Sequence, residues 1–448
     1  MVYIKDISDI RRLKSDDIFE LFSKGELYKK VLDKKWSDKS NIIKKFQNPF
    51  DFLEGTAETI KQSVTSSIDE DYWLLVLGEP GTGKSTLSVA LYKHIMYKLG
   101  YTLDQIKDHL YIDVCYLPYD YLGRINLHGD EIEEKGKIFP HPIILDEAHN
   151  MFDLFAEGST NVARKILQRI FEIREYRLVH IVNTQIPRHI AKRALERFHS
   201  LIILWKEPIY FGDEKTKALE ETYLSYMQNI LKIKPRTDEG IGYFLWGVLY
   251  GESFTHDVLG WIIKHGVRIR ELRKILIRFD PKFIFPMTLI LHEVSDLRPI
   301  YFNIKLYNNG IKKLYDEFGI KGSKKTIFLK ALTELGKYFN KMDPNKRNEK
   351  GYIVLDEPIL IEIDSKTEYK VLKKIGRVKF NIDLEKISKK TKKKEKTKTK
   401  KLIETSSYSD ESYVNIYSIN PKIYNFLKSN YITLQKRYKL HEAIGFKL

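Results

Sequence analysis

The sequence predicts an α/β fold in which a core of parallel β-strands carries helices on both faces, with helical and small α+β modules following it. Three observations support this prediction. A glycine-rich loop separates an apolar run from a helical one, a second apolar run ends in two carboxylates, and short apolar segments alternate with helical ones over residues 72–205. Strands and helices that alternate along a chain are typical of a parallel sheet covered by helices.

The N-terminal part of the chain, residues 1–71, has helical periodicity and many charges, and we predict a helical appendage there. Charges interrupt its first residues, so no signal peptide is expected. No apolar run in the chain approaches the roughly 18–20 residues that span a bilayer. The single cysteine, Cys115, excludes an internal disulfide. We expect an intracellular, cytoplasmic protein.

The core is expected to begin with a strand, a tight loop and a helix. The predicted strands of the core are 73–77, 111–115, 143–145, 178–183 and 201–205. The loop after the first of them fits the pattern G-x-x-x-x-G-K-[ST], which is the phosphate loop of nucleotide-binding proteins. Its glycines let backbone N–H groups turn toward phosphates, and the N-terminus of the next helix adds positive potential.

This loop predicts a site for ATP. Lys84 is expected to reach the β- and γ-phosphates, and Ser85 is expected to hold Mg²⁺. The residues of the predicted site are Gly78, Glu79, Pro80, Gly81, Thr82, Gly83, Lys84, Ser85 and Thr86.

The apolar run 143–145 ends in Asp146 and Glu147, which together form a Walker B pattern. Hydrolysis needs one carboxylate for the metal and a second one to polarise the attacking water. We expect Asp146 to hold Mg²⁺ and Glu147 to act as the general base. If the strand 178–183 lies between the phosphate-loop strand and the Walker B strand, it brings Gln185 beside Glu147, where the amide would sense the γ-phosphate or orient water.

The segment 146–204 resembles the HerA/FtsK group of DNA-pumping ATPases. In that group, Arg-x-x-Gly, a strand and Thr-Gln-x-Pro follow the Walker B strand, and here the order is Arg174-Glu-Tyr-Arg177, LVHIVN and Thr184-Gln185-Ile-Pro187. Arg177 stands where the family prefers glycine. The resemblance implies a ring-forming motor that translocates, packages or processes DNA, with Arg174 as a finger that acts on the site of a neighbouring subunit.

A second resemblance competes with the first. Pro80-Gly81-Thr82 in the phosphate loop and VRIRELRKIL at 267–276 are similar to AAA+ ATPases. That resemblance implies Arg270 as a second sensor of nucleotide, Arg197 as the trans-acting finger, and a replication initiator or loader that uses ATP as a switch on DNA. The letters DEAH at 146–149 also suggest a helicase, but the Ser-Ala-Thr and Gln-x-x-Gly-Arg motifs do not follow them.

The remaining chain is expected to form further modules. We predict a helical lid or insertion domain at 206–300, a small α+β module at 301–385, a disordered lysine-rich linker at 386–407 and a C-terminal segment at 408–448. Within 351–363 the pattern predicts a strand, a turn and a strand. A helix followed by such a hairpin fits a winged helix as well as other small α+β modules.

The net charge is +17, which favours a polyanionic partner, with DNA as the first expectation. A secretion, scaffold or protein-remodelling ATPase stays an alternative, because no substrate motif excludes it. The histidines nearest the site in sequence, His128, His141 and His149, show no spacing typical of metal ligands and receive no role.

Overall fold

The computed structural model describes residues 49–66, 71–148, 173–185, 197–229, 232, 234, 241–250, 259, 284–322, 324–363, 366–380 and 412–443. These residues divide into two units. The first unit is drawn from Met1–Tyr121 and His128–Tyr301, and the second from Leu122–Leu127 and Phe302–Leu448. Arg270, Pro187 and the lysine-rich run 386–407 lie outside the described residues, as does most of the predicted appendage at 1–71.

A seven-stranded sheet forms the centre of the first unit, in the order β2-β3-β4-β1-β5-β6-β7. Its strands are β1 (Tyr72–Gly78), β2 (Val114–Cys115), β3 (His141–Leu145), β4 (Leu178–Thr184), β5 (Ser200–Tyr210), β6 (Ile241–Tyr250) and β7 (Ile284–Pro286). The strands from β2 to β5 in this order pair in parallel, which confirms the predicted parallel α/β core. β4 lies between β1 and β3, the position considered for the run 178–183.

Burial explains why these strands are apolar runs. Every residue of β1, β3 and β4 is buried. Successive side chains of a strand point to opposite faces, so both faces of these strands are covered. A largely apolar run, instead of an apolar–polar alternation, is the pattern that such a strand favours.

Seven α-helices are described between residues 49 and 317. They are α1 (Pro49–Ser66), α2 (Lys84–Lys98), α3 (Leu103–Asp113), α4 (Pro118–Lys135), α5 (Lys217–Asn229), α6 (Met287–Glu293) and α7 (Arg298–Glu317). α1 and α2 pack against each other and against β1. Among the described residues, no helix is both long enough and apolar enough to cross a bilayer.

Two stretches of the first unit differ from the sequence-based expectation. The strand predicted at 111–115 is limited to Val114–Cys115, because α3 extends through Asp113. A capping box at Thr102 and Gln105 starts this helix, which then competes with the strand for residues 111–113.

Residues 241–250, inside the stretch predicted to be helical, form β6 and pair antiparallel with β5. Their many aromatic side chains favour a strand.

The second unit contains a three-stranded antiparallel sheet in the order β8-β10-β9. The strands are β8 (Ile353–Ile363), β9 (Gly376–Phe380) and β10 (Ser412–Ile419). Four further helices are α8 (Lys324–Lys337), α9 (Lys366–Ile375), α10 (Pro421–Lys436) and α11 (Tyr438–Ala443). β10, from the predicted C-terminal segment, is the central strand. Residues before and after the lysine-rich run therefore share one sheet.

The prediction of a strand, a turn and a strand within 351–363 is wrong, because β8 is a single strand. Its alternation of buried and exposed residues breaks at Asp356, Glu357 and Pro358, which are all exposed. The pairing with β10 shifts register opposite this point. Proline cannot donate a ladder hydrogen bond, so an irregularity in an edge strand replaces the expected turn.

Candidate nucleotide site

The glycines of the loop after β1 are required for two reasons: the backbone conformation at Gly81 and Gly83, and the lack of space at Gly78. Gly81 and Gly83 have φ angles of 78° and 87°, a left-handed conformation that strains any residue with a Cβ. A Cβ at Gly78 would lie 2.4 Å from Oγ1 of Thr82 and 2.9 Å from the carbonyl oxygen of Leu204. The loop therefore needs its glycines to turn from β1 directly into α2, whose first N–H groups follow it.

Lys84 is buried and folds back over this loop. Its Nζ donates hydrogen bonds to the carbonyl oxygens of Gly78 and Glu79, each at 2.8 Å. A buried ammonium group needs such partners, because desolvation of a charge is costly. The positive charge is thereby held at the N-terminus of α2, and both features attract phosphate.

Asp146 directly follows β3 and lies at the same edge of the sheet as the loop. The Oγ atom of Ser85 is 3.5 Å from each carboxylate oxygen of Asp146. Both strands end at this edge because they run in parallel, so residues 61 apart in sequence meet there. Ser85 and Asp146 supply oxygen donors, which is the ligand chemistry that Mg²⁺ prefers.

A residue of β4 holds the Asp146 carboxylate from a second direction. The Nδ2 atom of Asn183 donates to Oδ1 of Asp146 at 3.1 Å, and the Oδ1 atom of Asn183 accepts from Ser88 at 2.6 Å. Asn183 is fully buried between these partners. Sequence reasoning selected Gln185 for this strand end and missed Asn183, although the order of the strands predicted that some polar residue would lie here.

Two tyrosines complete the surroundings of Asp146. The hydroxyl of Tyr301, in α7, donates to Oδ2 of Asp146, and the hydroxyl of Tyr116 donates to that of Tyr301 at 3.2 Å. Burial, and then the charge of Asp146, raises the pKa of Tyr301 and that of Tyr116 well above the usual range. Both hydroxyls therefore stay protonated and act as donors. No sequence signal indicated either tyrosine, because no motif links them to the Walker B pattern.

Glu147 has an unusual backbone conformation. Its φ angle is 51°, in the left-handed region that costs free energy for a residue with a side chain. The next residue, Ala148, donates its N–H to the carbonyl oxygen of Asn183 at 2.9 Å, so β4 holds this turn in place. Gln185 directly follows β4 and is half-buried. A strained backbone held by its neighbours is a recurrent property of functional sites.

The two arginines considered as fingers lie at the opposite edge of the sheet from the loop. Arg174 precedes β4 in a short 3₁₀ helix, and Arg197 precedes β5. β4 has seven residues, so its two ends are about 20 Å apart. Neither arginine can therefore reach the loop of its own chain. Arg177 has a φ angle of 52°, a left-handed conformation that glycine adopts more readily than a residue with a side chain.

The surroundings of the two arginines differ. Arg174 is exposed. Arg197 is only 10% exposed in its side chain, and its Nη2 atom donates to both carboxylate oxygens of Asp71, at 3.1 and 3.0 Å. Trp73 donates to the same carboxylate at 2.6 Å. Burial raises the pKa of Asp71, and the hydrogen bond from Trp73 and the charge of Arg197 oppose this effect. Arg197 is therefore part of an internal ion pair.

Comparison of the sequence with protein-family models and with curated proteins found no match. The interpretation of the site therefore depends on its own residues and geometry.

Proposed function

We propose that this protein is a P-loop ATPase that hydrolyses ATP with Mg²⁺ and acts on DNA as an oligomeric ring, in the manner of HerA/FtsK motors. One observation supports the proposal more than any other. Ser85, at the start of α2, and Asp146 of the Walker B pattern meet at 3.5 Å, at the carboxyl ends of parallel strands. Ligands of open α/β sheets bind at such strand ends.

The glycine-rich loop and the N-terminus of α2 are proposed to bind ATP. Backbone N–H groups of the loop, except at Pro80, surround the phosphates, and Lys84 moves from the carbonyl oxygens of Gly78 and Glu79 to the β- and γ-phosphates. Ser85 and Asp146 are the residues that would hold Mg²⁺. When bound, this ion neutralises the charge that develops on the β- and γ-phosphate oxygens.

Hydrolysis requires a base and a group that orients water. Glu147 is proposed to polarise the attacking water and to accept its proton. The Nδ2 atom of Asn183 donates to Oδ1 of Asp146 at 3.1 Å and holds that carboxylate in position. Asp146 is thereby kept as the metal ligand, while Glu147 is left to act as the base. Gln185, at the end of β4, is proposed to sense the γ-phosphate.

Arg174 is proposed as the trans-acting finger of the ring. It is exposed and far from the loop of its own chain, as a residue that acts on a neighbour must be. Arg197, the finger of the AAA+ interpretation, is mostly buried against Asp71. This contrast favours the HerA/FtsK interpretation over an AAA+ initiator or loader.

DNA is proposed as the partner because of the net charge of +17 and the lysine-rich run 386–407. If the protein binds DNA no more tightly than an uncharged polymer, the alternative of an ATPase that acts in secretion or protein remodelling is favoured instead.

The test is ATP turnover by the full chain, with Mg²⁺, measured alone and with single- or double-stranded DNA. We expect turnover that needs Mg²⁺ and rises with DNA. Glu147→Gln is expected to bind ATP but to hydrolyse it at least about 10² times more slowly, as when a general base is lost. Glu134→Gln, an exposed glutamate of α4, is the matched control. Normal hydrolysis by Glu147→Gln would contradict the Walker B assignment.

A further inference from the structure

A cluster of two histidines and an aspartate lies in the first unit, away from the candidate nucleotide site. His109 and Asp113 are four residues apart on α3, so they occupy the same face of that helix. His141 is the first residue of β3, which pairs with the strand that follows Asp113. One nitrogen of each histidine and one carboxylate oxygen lie within 4.8 Å of one another.

The cluster is buried on one side and open on the other. Asp113 and His141 are fully buried, and Nε2 of His141 is 2.8 Å from Oδ2 of Asp113. His109 is only partly buried, which provides a route for an ion from solvent. The ring centroids of His109 and His141 are 5.1 Å apart. The two rings are therefore close neighbours within the cluster.

The carboxylate has an additional partner of the kind that metal ligands use. The hydroxyl of Tyr92, on α2, donates to Oδ2 of Asp113. Ligating carboxylates are commonly hydrogen-bonded from a second layer of residues, which fixes their orientation. Tyr92 is fully buried, so this hydrogen bond is shielded from water.

We propose that His109, Asp113 and His141 bind a zinc ion. Two imidazole nitrogens and one carboxylate oxygen suit Zn²⁺, whereas Mg²⁺ prefers oxygen donors alone. Tetrahedral zinc with bonds of about 2.0–2.1 Å separates its ligand atoms by about 3.3 Å. Atoms that already lie within 4.8 Å need to shift by about 1.5 Å at most, which side-chain rotation supplies. A water molecule would complete the four ligands on the open side of His109.

This zinc site lies apart from the candidate nucleotide site and is independent of ATP. His141 begins β3 and Asp146 follows its end, so the strand of five residues separates the two sites by about 15 Å. The ion would link α3 to β3 beyond the two-residue pairing of β2 with β3. The sequence spacing around His141 indicates no role for it, because its partners in the cluster, His109 and Asp113, belong to a different element of the fold.

The test is zinc uptake by the full chain. Protein is first treated with a chelator, then incubated with ZnCl₂ in excess MgCl₂ so that the Ser85 and Asp146 site is filled, and freed of unbound metal by gel filtration. Mass spectrometry of the metal content is expected to give about one zinc per chain. Co²⁺ in place of Zn²⁺ is expected to show the visible absorption of a tetrahedral complex.

Two variants locate the ion. His109→Gln removes the most accessible ligand and is expected to lower zinc affinity at least about tenfold, a lower bound taken from the loss of second-layer partners. His292→Gln, an exposed histidine of α6, should keep the parent uptake. Circular dichroism checks that both variants are folded. The proposal is overturned if the parent chain takes up no zinc, or if His109→Gln binds zinc as tightly as the parent.

Discussion

The hydroxyl of Tyr301 donates a hydrogen bond to Oδ2 of Asp146, across 155 residues of sequence. Asn183 and Ser85 approach the same carboxylate from other elements, at 3.1 and 3.5 Å. The orientation of the proposed metal ligand therefore depends on α7 as well as on β4 and α2. Tyr301 is a positioning residue in this arrangement.

Tyr301→Phe should weaken the use of Mg²⁺ while ATP binding persists. A hydrogen bond to a charged group contributes about 1.5–3 kcal/mol, so we expect kcat to fall by about 10- to 100-fold and the Mg²⁺ concentration for half-maximal turnover to rise. ATP turnover as a function of Mg²⁺ measures both effects. Tyr97→Phe, a tyrosine of α2 that is 42% exposed, is the control. An unchanged Mg²⁺ requirement in Tyr301→Phe would mean that this hydrogen bond does not position Asp146.

Arg174→Ala should lower ATP turnover by about 10³-fold or more and leave ATP binding intact, as expected for a finger that acts in trans. Its exposure predicts little change in thermal stability. When Arg174→Ala is mixed with Lys84→Ala, turnover should return, because the Lys84→Ala chain supplies the missing arginine to an intact site. Arg298→Ala, another exposed arginine, controls for loss of charge. Full turnover by Arg174→Ala, or no rescue in the mixture, would reject the shared site.

Arg197→Ala should act mainly on stability. It leaves the buried carboxylate of Asp71 without its ion-pair partner, which typically costs about 3–5 kcal/mol. Chemical denaturation of the variant and the parent measures this loss. We expect any activity that Arg197→Ala loses to follow the loss of folded protein and not to return on mixing with Lys84→Ala. Rescue in the mixture, with unchanged stability, would instead support the AAA+ interpretation.

The stability of the first unit should depend on pH through Glu293. Burial opposes the ionisation of Glu293, but the hydrogen bond from His94 and the charge of Lys93 outweigh it, and the pKa of Glu293 is lowered below 4.5. A lowered carboxylate pKa contributes stability above about pH 4.5, and this contribution is lost as the pH falls through the folded-state value.

Glu293→Gln should therefore be less stable than the parent near pH 6, and the difference should shrink as the pH is lowered past 4.5. Urea denaturation at a series of pH values measures it, with Glu134→Gln as the exposed control. A stability difference that is the same at every pH would show that the contacts of the Glu293 carboxylate with His94 and Lys93 contribute no net stability.

Deletion of residues 389–401 should reduce the salt dependence of DNA binding. Each phosphate that a lysine neutralises releases counterions, so affinity falls steeply with salt when many lysines take part. We expect the deletion to flatten the plot of log affinity against log salt and to leave ATP turnover without DNA unchanged. DNA affinity that is unaltered at all salt concentrations would make this segment only a connection between β9 and β10.

Local sequence patterns were sufficient for the parallel core. The runs that became β1, β3 and β4 are largely apolar because they are buried on both faces, and burial of that kind is visible in the sequence itself. The glycines of the loop were also readable, since Gly81 and Gly83 adopt backbone angles that other residues avoid. The candidate loop and the carboxylate pair therefore followed from the chain alone.

The tertiary structure alone decided which groups surround those motifs. Tyr301, Asn183 and the Asp71–Arg197 ion pair lie beside their partners because parallel strands and packed helices bring distant residues together. The same holds for the cluster of His109, Asp113 and His141, and for the insertion of β10 between β8 and β9. A polar residue whose partner is distant in sequence produces no periodicity or motif spacing around it. Burial and backbone conformation, in contrast, restrict the residue type at each position, so they can be predicted from the local sequence.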